Sequence, residues 1–104
     1  MLELRPNCEW CDCDLPPESL SARVCSYECT YCATCVDTIL QNVCPTCGGD
    51  FSTRPLRPFR EWRPGSRLGR SFDPASTARR YSRWTAQEVG ELSQRLRGVP
   101  PEER

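Results

Sequence analysis

Apolar residues are sparse along this chain, and they follow a helical spacing at only two places. The first place holds Val36, Ile39, Leu40 and Val43. Their spacing of three and four residues puts them on one side of a helix. The pattern therefore predicts a short helix with one buried face in this stretch.

A second helix is predicted over residues 85–97. Thr85 and Glu88 have the spacing of a capping box, in which each side chain accepts a hydrogen bond from the backbone N–H of the other residue. Gly98 and Pro100 follow, and both residue types end helices. We interpret this element as a helix that packs on the rest of the protein through one narrow apolar face, which consists of Val89, Leu92 and Leu96.

Residues 54–84 combine repeated prolines with nine arginines and only two acidic residues. A residue that precedes proline avoids the helical conformation, so we expect extended, polyproline-like chain here. The pattern divides the protein into four segments. They are a compact module at 1–53, an Arg/Pro-rich extended segment at 54–84, a short amphipathic helix at 85–98 and a frayed end at 99–104.

Composition limits the class of protein. Of 104 residues 38% are hydrophobic, but nine of these are cysteine, so too few apolar side chains remain for a sizeable core. Histidine is absent and every basic residue is arginine, which leaves neither histidine nor lysine as a catalytic base. We expect no enzyme, no catalytic residue and no small-molecule substrate.

The nine cysteines carry the candidate chemistry. Eight of them form four closely spaced pairs, and one such pair lets two thiolates bind a tetrahedral zinc ion from a single turn. Four pairs therefore provide ligands for two zinc ions. The odd cysteine count argues against a disulfide framework, and we rank zinc above disulfides, a redox-active pair and an iron–sulfur cluster. The predicted ligands are Cys8, Cys11, Cys25, Cys29, Cys32, Cys35, Cys44 and Cys47.

The spacing alone leaves open which cysteines share an ion. Sequential pairing would join the first two pairs in one site and the last two in the other. Interleaved pairing would join the first pair with the third and the second with the fourth. Cys13 belongs to no pair, and we expect it to be free. Gly48 and Gly49 follow the last pair, where a tight turn needs backbone freedom.

The middle of the chain resembles a RING finger. The resemblance rests on the run from Arg23 to Cys35, on Cys-Pro-Thr-Cys at 44–47, and on Phe51. The chain departs from the RING pattern at Cys29, which stands where these domains usually have histidine. The departure keeps a metal ligand at that position.

This resemblance implies a small α+β module, stabilised by zinc, of the RING or treble-clef type. It implies a β-hairpin around 23–31, a helix around 33–42 and interleaved zinc sites. We therefore favour interleaved pairing. Site 1 would consist of Cys8, Cys11, Cys32 and Cys35, and site 2 of Cys25, Cys29, Cys44 and Cys47.

A closer resemblance covers about residues 1–60. Met-Leu-Glu-Leu-Arg-Pro-Asn-Cys-Glu at 1–9, Leu-Pro-Pro at 15–17 and Cys-Pro-Thr-Cys-Gly-Gly at 44–49 are similar to a family of small bacterial cysteine-rich proteins, a domain of unknown function. The family tends to have cysteine in place of Trp10 and a basic residue in place of Cys13. The departures leave open an exchange of roles between Cys11 and Cys13. The resemblance implies a bacterial origin and supplies no activity.

Charge separates the two halves of the protein. Residues 1–50 have two arginines and eight acidic residues, a net charge of −6, and residues 51–104 have a net charge of +6. Two zinc ions with eight thiolates would bring the first half to about −10. We expect the basic segment to dock on this acidic module or to lie in solvent, with Trp62 and Trp84 covering apolar gaps.

Three functions are compatible with this pattern. The first is protein–protein interaction, in which the zinc scaffold presents a rigid surface to an unidentified protein. The second is nucleic-acid binding through the Arg54–Arg83 tail, because arginine pairs with phosphates and aromatic rings stack on bases. The third, implied by the RING resemblance, is ubiquitin-ligase-like docking through Trp10 and Pro45.

The N-terminal residues set an expectation about location. They show no basic stretch followed by an apolar one, as a secretory signal would. No run approaches the roughly 18 apolar residues of a membrane span. We therefore expect a cytoplasmic protein without a membrane partner, in a reducing compartment where clustered cysteines favour metal over disulfides.

Overall fold

The protein is a small α+β structure whose centre is a three-stranded antiparallel sheet. A computed structural model describes residues 1–104. Strands β1 (Ala22–Val24) and β2 (Thr30–Cys32) form a hairpin, and β3 (Ser52–Thr53) pairs with the other edge of β1. The predicted hairpin is confirmed, and all three residues of β2 are buried.

The predicted first helix is present but irregular. It begins as α1 (Ala33–Cys35), continues as one π-helical turn over Val36–Leu40, and ends where the backbone becomes left-handed at Gln41. Ile39 is 41% exposed, so the expectation that it belongs to the buried face is wrong. A π-helical turn is wider than an α-helical one and rotates Ile39 out of the buried face of the helix.

The second helix, α2 (Ala86–Leu96), has the predicted capping box. The N–H of Glu88 donates to Thr85 Oγ1, and the N–H of Thr85 donates to Glu88 Oε1, both at 3.1 Å. The helix packs against the π-helical turn, with Val89 fully in the core. Neither helix combines the length and apolar character needed to cross a bilayer.

The C-terminal residues close over the module in place of the expected frayed end. Pro101–Glu103 form a 3-10 turn that orients the next side chain. The guanidinium of Arg104 donates to the backbone oxygens of Asn42 (3.0 Å) and Gly48 (3.2 Å). These bonds tie the chain end to the turn that follows the first helix and to the last cysteine pair.

The arginine-rich segment docks on the module. It contains no helix or regular strand, as its prolines predict, but its backbone is hydrogen-bonded to the first half of the chain. Ser82 N–H donates to Glu9 O at 2.7 Å, and the fully buried amide of Asn7 binds both the N–H and the C=O of Arg80. The basic segment therefore docks on the acidic module, which is the first of the two arrangements expected from the charges.

One buried arginine binds two loops of the module. Arg54 is 1% exposed and has no acidic partner. Its guanidinium donates to the backbone oxygens of Arg5 (2.8 Å), Leu15 (3.1 Å) and Pro16 (3.0 Å). Burial lowers the pKa of this guanidinium, but arginine remains charged because its ordinary pKa is so high. Three carbonyl dipoles therefore take the place of a counter-ion.

Candidate metal centre

The structure brings cysteine sulfurs together in two separate groups. In the first group, four Sγ atoms lie within 4.8 Å of one another. The Sγ atoms of Cys11 and Cys32 lie 3.8 Å apart. Cys35 lies outside this group, although its N–H donates to Cys32 Sγ at 3.4 Å. The four sulfurs belong to Cys8, Cys11, Cys13 and Cys32.

The second group brings together Cys25, Cys44 and Cys47, whose Sγ atoms also lie within 4.8 Å of one another. Cys29 lies outside this group, although its carbonyl oxygen accepts a hydrogen bond from Cys25 N–H at 3.1 Å. The first cysteine pair thus meets Cys32 of the third pair, and Cys25 of the second pair meets the fourth pair. Sequential pairing would place Cys25 with Cys8, and the structure does not bring those two together.

The turns that hold the sulfurs share one backbone feature. In two of them the residue directly after the second cysteine has a left-handed conformation, Asp12 with φ 65° and Gly48 with φ 78°. Each of these residues donates its N–H to the carbonyl oxygen of the first cysteine of its pair, Cys8 (2.9 Å) or Cys44 (2.8 Å). The predicted need for backbone freedom at Gly48 is confirmed, and a Cβ there would also meet Leu96 at 3.1 Å.

Backbone N–H groups point at several of the sulfurs. Cys25 Sγ accepts from Tyr27 N–H at 3.3 Å, and Cys32 Sγ accepts from Cys35 N–H at 3.4 Å. Cys47 Sγ accepts from Gly49 N–H at 3.4 Å. A hydrogen bond to a sulfur favours its charged thiolate form, which is the form that binds metal.

The donor set fits zinc. Zinc binds thiolates at about 2.3 Å in a tetrahedron, which separates neighbouring sulfurs by about 3.8 Å. The Cys11–Cys32 separation of 3.8 Å has this value. All the ligating groups at both sites are soft sulfurs, which suit zinc better than magnesium or calcium. When bound, zinc would supply cross-links between turns that are distant in sequence.

Comparison with known proteins places the chain in a family. The sequence model of the family described as Protein of unknown function (DUF1272) matches residues 1–57, more than half of the chain. The chain belongs to this family. A protein of Rhizobium meliloti (strain 1021), "Uncharacterized protein R02474", is 53% identical over 79 residues, which are 76% of this chain and 84% of the relative. No solved structure matches the chain.

Membership in the DUF1272 family confirms the resemblance to a bacterial domain of unknown function. The matched region contains all nine cysteines. It also extends past the predicted module boundary at residue 53 and so includes Arg54 and Arg57. Both guanidinium groups bind backbone oxygens in the first half of the chain, Arg57 at Leu2 O.

In the folded DUF1272 protein, the surroundings of each thiol change how readily it loses its proton. Hydrogen bonds with Cys25 and Cys44 lower the pKa of Cys29 to about 3. Burial and a hydrogen bond with Cys11 raise the pKa of Cys13 to about 12. Burial opposes ionisation of Cys11 too, but hydrogen bonds from the backbone and thiol of Cys13 prevail and lower its pKa to about 7.

Zinc uptake is therefore expected to release protons and to strengthen as the pH rises. An ordinary cysteine thiol has a pKa of about 8.5 and is mostly protonated at neutral pH, and the fold raises the pKa values of the ligands Cys35 and Cys44 further. Each thiol must lose its proton before it binds zinc. The zinc-bound form is favoured at high pH and is lost as the pH falls. A pH indicator in weak buffer should record more than one proton released for each zinc ion. Magnesium is the control, and zinc uptake without acidification would contradict the prediction.

Two features of the DUF1272 site could not be read from the sequence. Cys13 was expected to be free, yet its sulfur lies in the first group. Arg79 holds the turn that carries it, because its guanidinium spans Asp12 (2.7 Å) and Asp14 (2.8 Å). The acidic residues beside Cys13 predict an arginine partner, but nothing in the sequence distinguishes Arg79 from its neighbours.

Proposed function

We propose that this protein is a non-enzymatic, cytoplasmic zinc protein whose two zinc ions are structural, and that it presents a surface to a protein partner. The proposal includes a RING-like or treble-clef-like module with interleaved sites. Its support is the association of the first cysteine pair with Cys32 of the third pair and of Cys25 of the second pair with the fourth pair. The ligand sets are Cys8, Cys11, Cys32 and Cys35 at site 1, and Cys25, Cys29, Cys44 and Cys47 at site 2.

Four thiolates would fill each tetrahedral site, which leaves no position for a catalytic water. The ions would instead fix the positions of the turns. Six of the twelve residues in the buried core cluster are cysteines, so the metal sites are also the core. Such a scaffold provides rigidity for surfaces elsewhere on the molecule.

The interaction surface that we favour is the aromatic loop, residues 56–72. Half of the large apolar residues that the protein exposes lie on it, and exposed apolar groups that are clustered mark interaction sites. Trp62 is 75% exposed, so the expectation that it covers an apolar gap is wrong, whereas Trp84 does pack on the core. The exposed apolar residues of the loop are Leu56, Phe59, Trp62, Leu68 and Phe72.

The aromatic loop is ordered by its own contacts. The Glu61 carboxylate accepts hydrogen bonds from the N–H groups of Gly65 (3.4 Å) and Arg67 (2.7 Å). Gly69 packs closely, because a Cβ there would lie 3.0 Å from Arg60 O, and its φ of 121° also requires glycine. A preorganised loop loses little conformational entropy when it binds a partner.

Charge on the aromatic loop indicates an acidic partner surface. Arg54, Arg57, Arg79 and Arg80 donate hydrogen bonds within the protein. The side chains of Arg60 and Arg63 make no such bonds and flank the exposed Trp62. Tryptophan and arginine are the residues that most often dominate binding energy at protein interfaces.

The docking positions of the ubiquitin-ligase alternative are less accessible. Pro45 is buried, and Trp10 packs against the core cluster. A conjugating enzyme would need both residues at the surface. We therefore favour the aromatic loop over the cysteine turns as the partner-binding surface.

The experiment compares point variants rather than a deletion, because removal of residues 54–104 would also remove Arg54 and the docked segment. Affinity capture from bacterial extract, followed by mass spectrometry, should recover a protein that binds wild type but not Trp62→Ser. A hot-spot residue of this kind contributes about 2 kcal/mol or more, roughly 30-fold in affinity. Leu20→Ser is the matched control, since Leu20 is 73% exposed on the module.

Two outcomes would contradict the proposal. One is capture of the same proteins by wild type and Trp62→Ser. The other is binding of single-stranded RNA or DNA at low salt that Trp62→Ser abolishes, without any captured protein. That result would favour the nucleic-acid function, now restricted to the part of the Arg54–Arg83 tail that does not dock on the module.

A further inference from the structure

Site 1 has one sulfur more than a tetrahedral zinc ion binds. Cys13 Sγ lies within 4.8 Å of the sulfurs of Cys8, Cys11 and Cys32, and Cys35 lies beside them, with its N–H donating to Cys32 Sγ at 3.4 Å. Cys11 and Cys13 are exposed, whereas the other three cysteines are buried. Site 2 has four cysteines and no fifth.

We propose that Cys11 and Cys13 are interchangeable ligands of the site 1 zinc ion, which makes that ion exchangeable with thiol-containing metal acceptors. The inference rests on the zinc-binding part of the proposed function. It assigns a role to Cys13, which belongs to none of the four cysteine pairs.

Cys13 is held beside the site and does not depend on a chance movement to reach it. Its carbonyl oxygen accepts from Cys8 N–H at 2.9 Å, which closes the turn that also contains Cys11. Arg79 binds the acidic residues on either side of Cys13, and Asn7 Nδ2 donates to Asp12 Oδ1 at 3.1 Å. Both exposed thiols are therefore presented to the buried ligands from one fixed turn.

The exchange is chemically balanced. Cys13 gives its proton to Cys11 as it replaces Cys11 among the four ligands, so one metal–sulfur bond forms and one breaks. No oxidant or reductant takes part. The loaded protein thus retains one accessible thiol next to its metal, and an external thiol can enter by the same substitution. The buried ligands Cys8, Cys32 and Cys35 keep their places throughout.

Zinc stoichiometry by native mass spectrometry tests the exchange. Cys11→Ser and Cys13→Ser should each retain two zinc ions, because the remaining exposed thiol completes site 1. The double variant should lose one ion. Cys47→Ser is the matched control, since Cys47 is exposed as well but site 2 has no fifth cysteine, and this variant should also lose one ion. Loss of an ion from Cys11→Ser alone, or from Cys13→Ser alone, would overturn the inference.

Alkylation of zinc-loaded wild type gives a second readout that needs no variant. One thiol per chain should react, and the label should be divided between Cys11 and Cys13. Label confined to one of the two would overturn the interchange while leaving the two-zinc proposal intact. Wild type that binds fewer than two zinc ions would overturn both proposals.

Discussion

Removal of zinc by a chelator is expected to unfold the module formed by residues 1–53. Half of its buried core cluster is cysteine, so little apolar area remains to stabilise the fold once the metal is gone. Each structural zinc ion contributes roughly 10–16 kcal/mol at neutral pH, which exceeds the net stability of most small domains. Metal-free protein should lose its far-ultraviolet circular dichroism signal, and added zinc should restore it.

The same chelator saturated with zinc is the control for this experiment, and it should leave the spectrum unchanged. A folded spectrum that persists after both zinc ions are lost would disprove a structural role for the metal. Residues 85–97 can be followed separately, because their capping box is local and does not involve cysteine.

Substitution of Arg54 by alanine is expected to have the second largest effect. Pro16 O would keep the Ser19 N–H as its donor, but Arg5 O and Leu15 O would be left without one, and a buried acceptor without a partner costs about 1–3 kcal/mol. We expect zinc-loaded Arg54→Ala to lose about 2–6 kcal/mol of unfolding free energy, measured by urea denaturation. Arg54→Lys should recover only part of it, because an ammonium group lacks the planar fork that reaches three oxygens.

Arg60→Ala is the control for Arg54→Ala. Arg60 is exposed, and its side chain donates no hydrogen bond, so its replacement should change the free energy of unfolding by less than about 0.5 kcal/mol. Equal urea midpoints for Arg54→Ala and wild type would show that the buried guanidinium does not hold the loops together.

Features that depend on neighbouring residues were predictable from the sequence. The capping box at Thr85 and Glu88 needs only a fixed spacing and a hydrogen bond in each direction. The left-handed turn at Gly48 needs only a residue without a side chain. The α+β class, the β-hairpin and the family followed from the resemblance to known motifs. Such a resemblance carries information about tertiary structure that local spacing lacks.

Features that depend on the whole fold were not predictable. The outward rotation of Ile39 comes from a π-helical turn, which no local spacing encodes. Charge balance indicated that the arginine segment would dock, yet it could not identify Arg54 as buried or Arg79 as the residue beside Cys13. The partners of these two arginines are backbone oxygens and carboxylates of the folded module. Those groups come together only when segments that are distant in sequence meet.

The docked segment also has a consequence for the speed of folding. The hydrogen bonds between Asn7 and Arg80 join residues 73 positions apart, and the Arg54 bond to Arg5 joins residues 49 positions apart. Contacts between such distant residues require closure of long loops before they stabilise anything, and proteins rich in them fold in milliseconds to seconds. We therefore expect closure of the arginine segment over the cysteine turns to be a late step of folding.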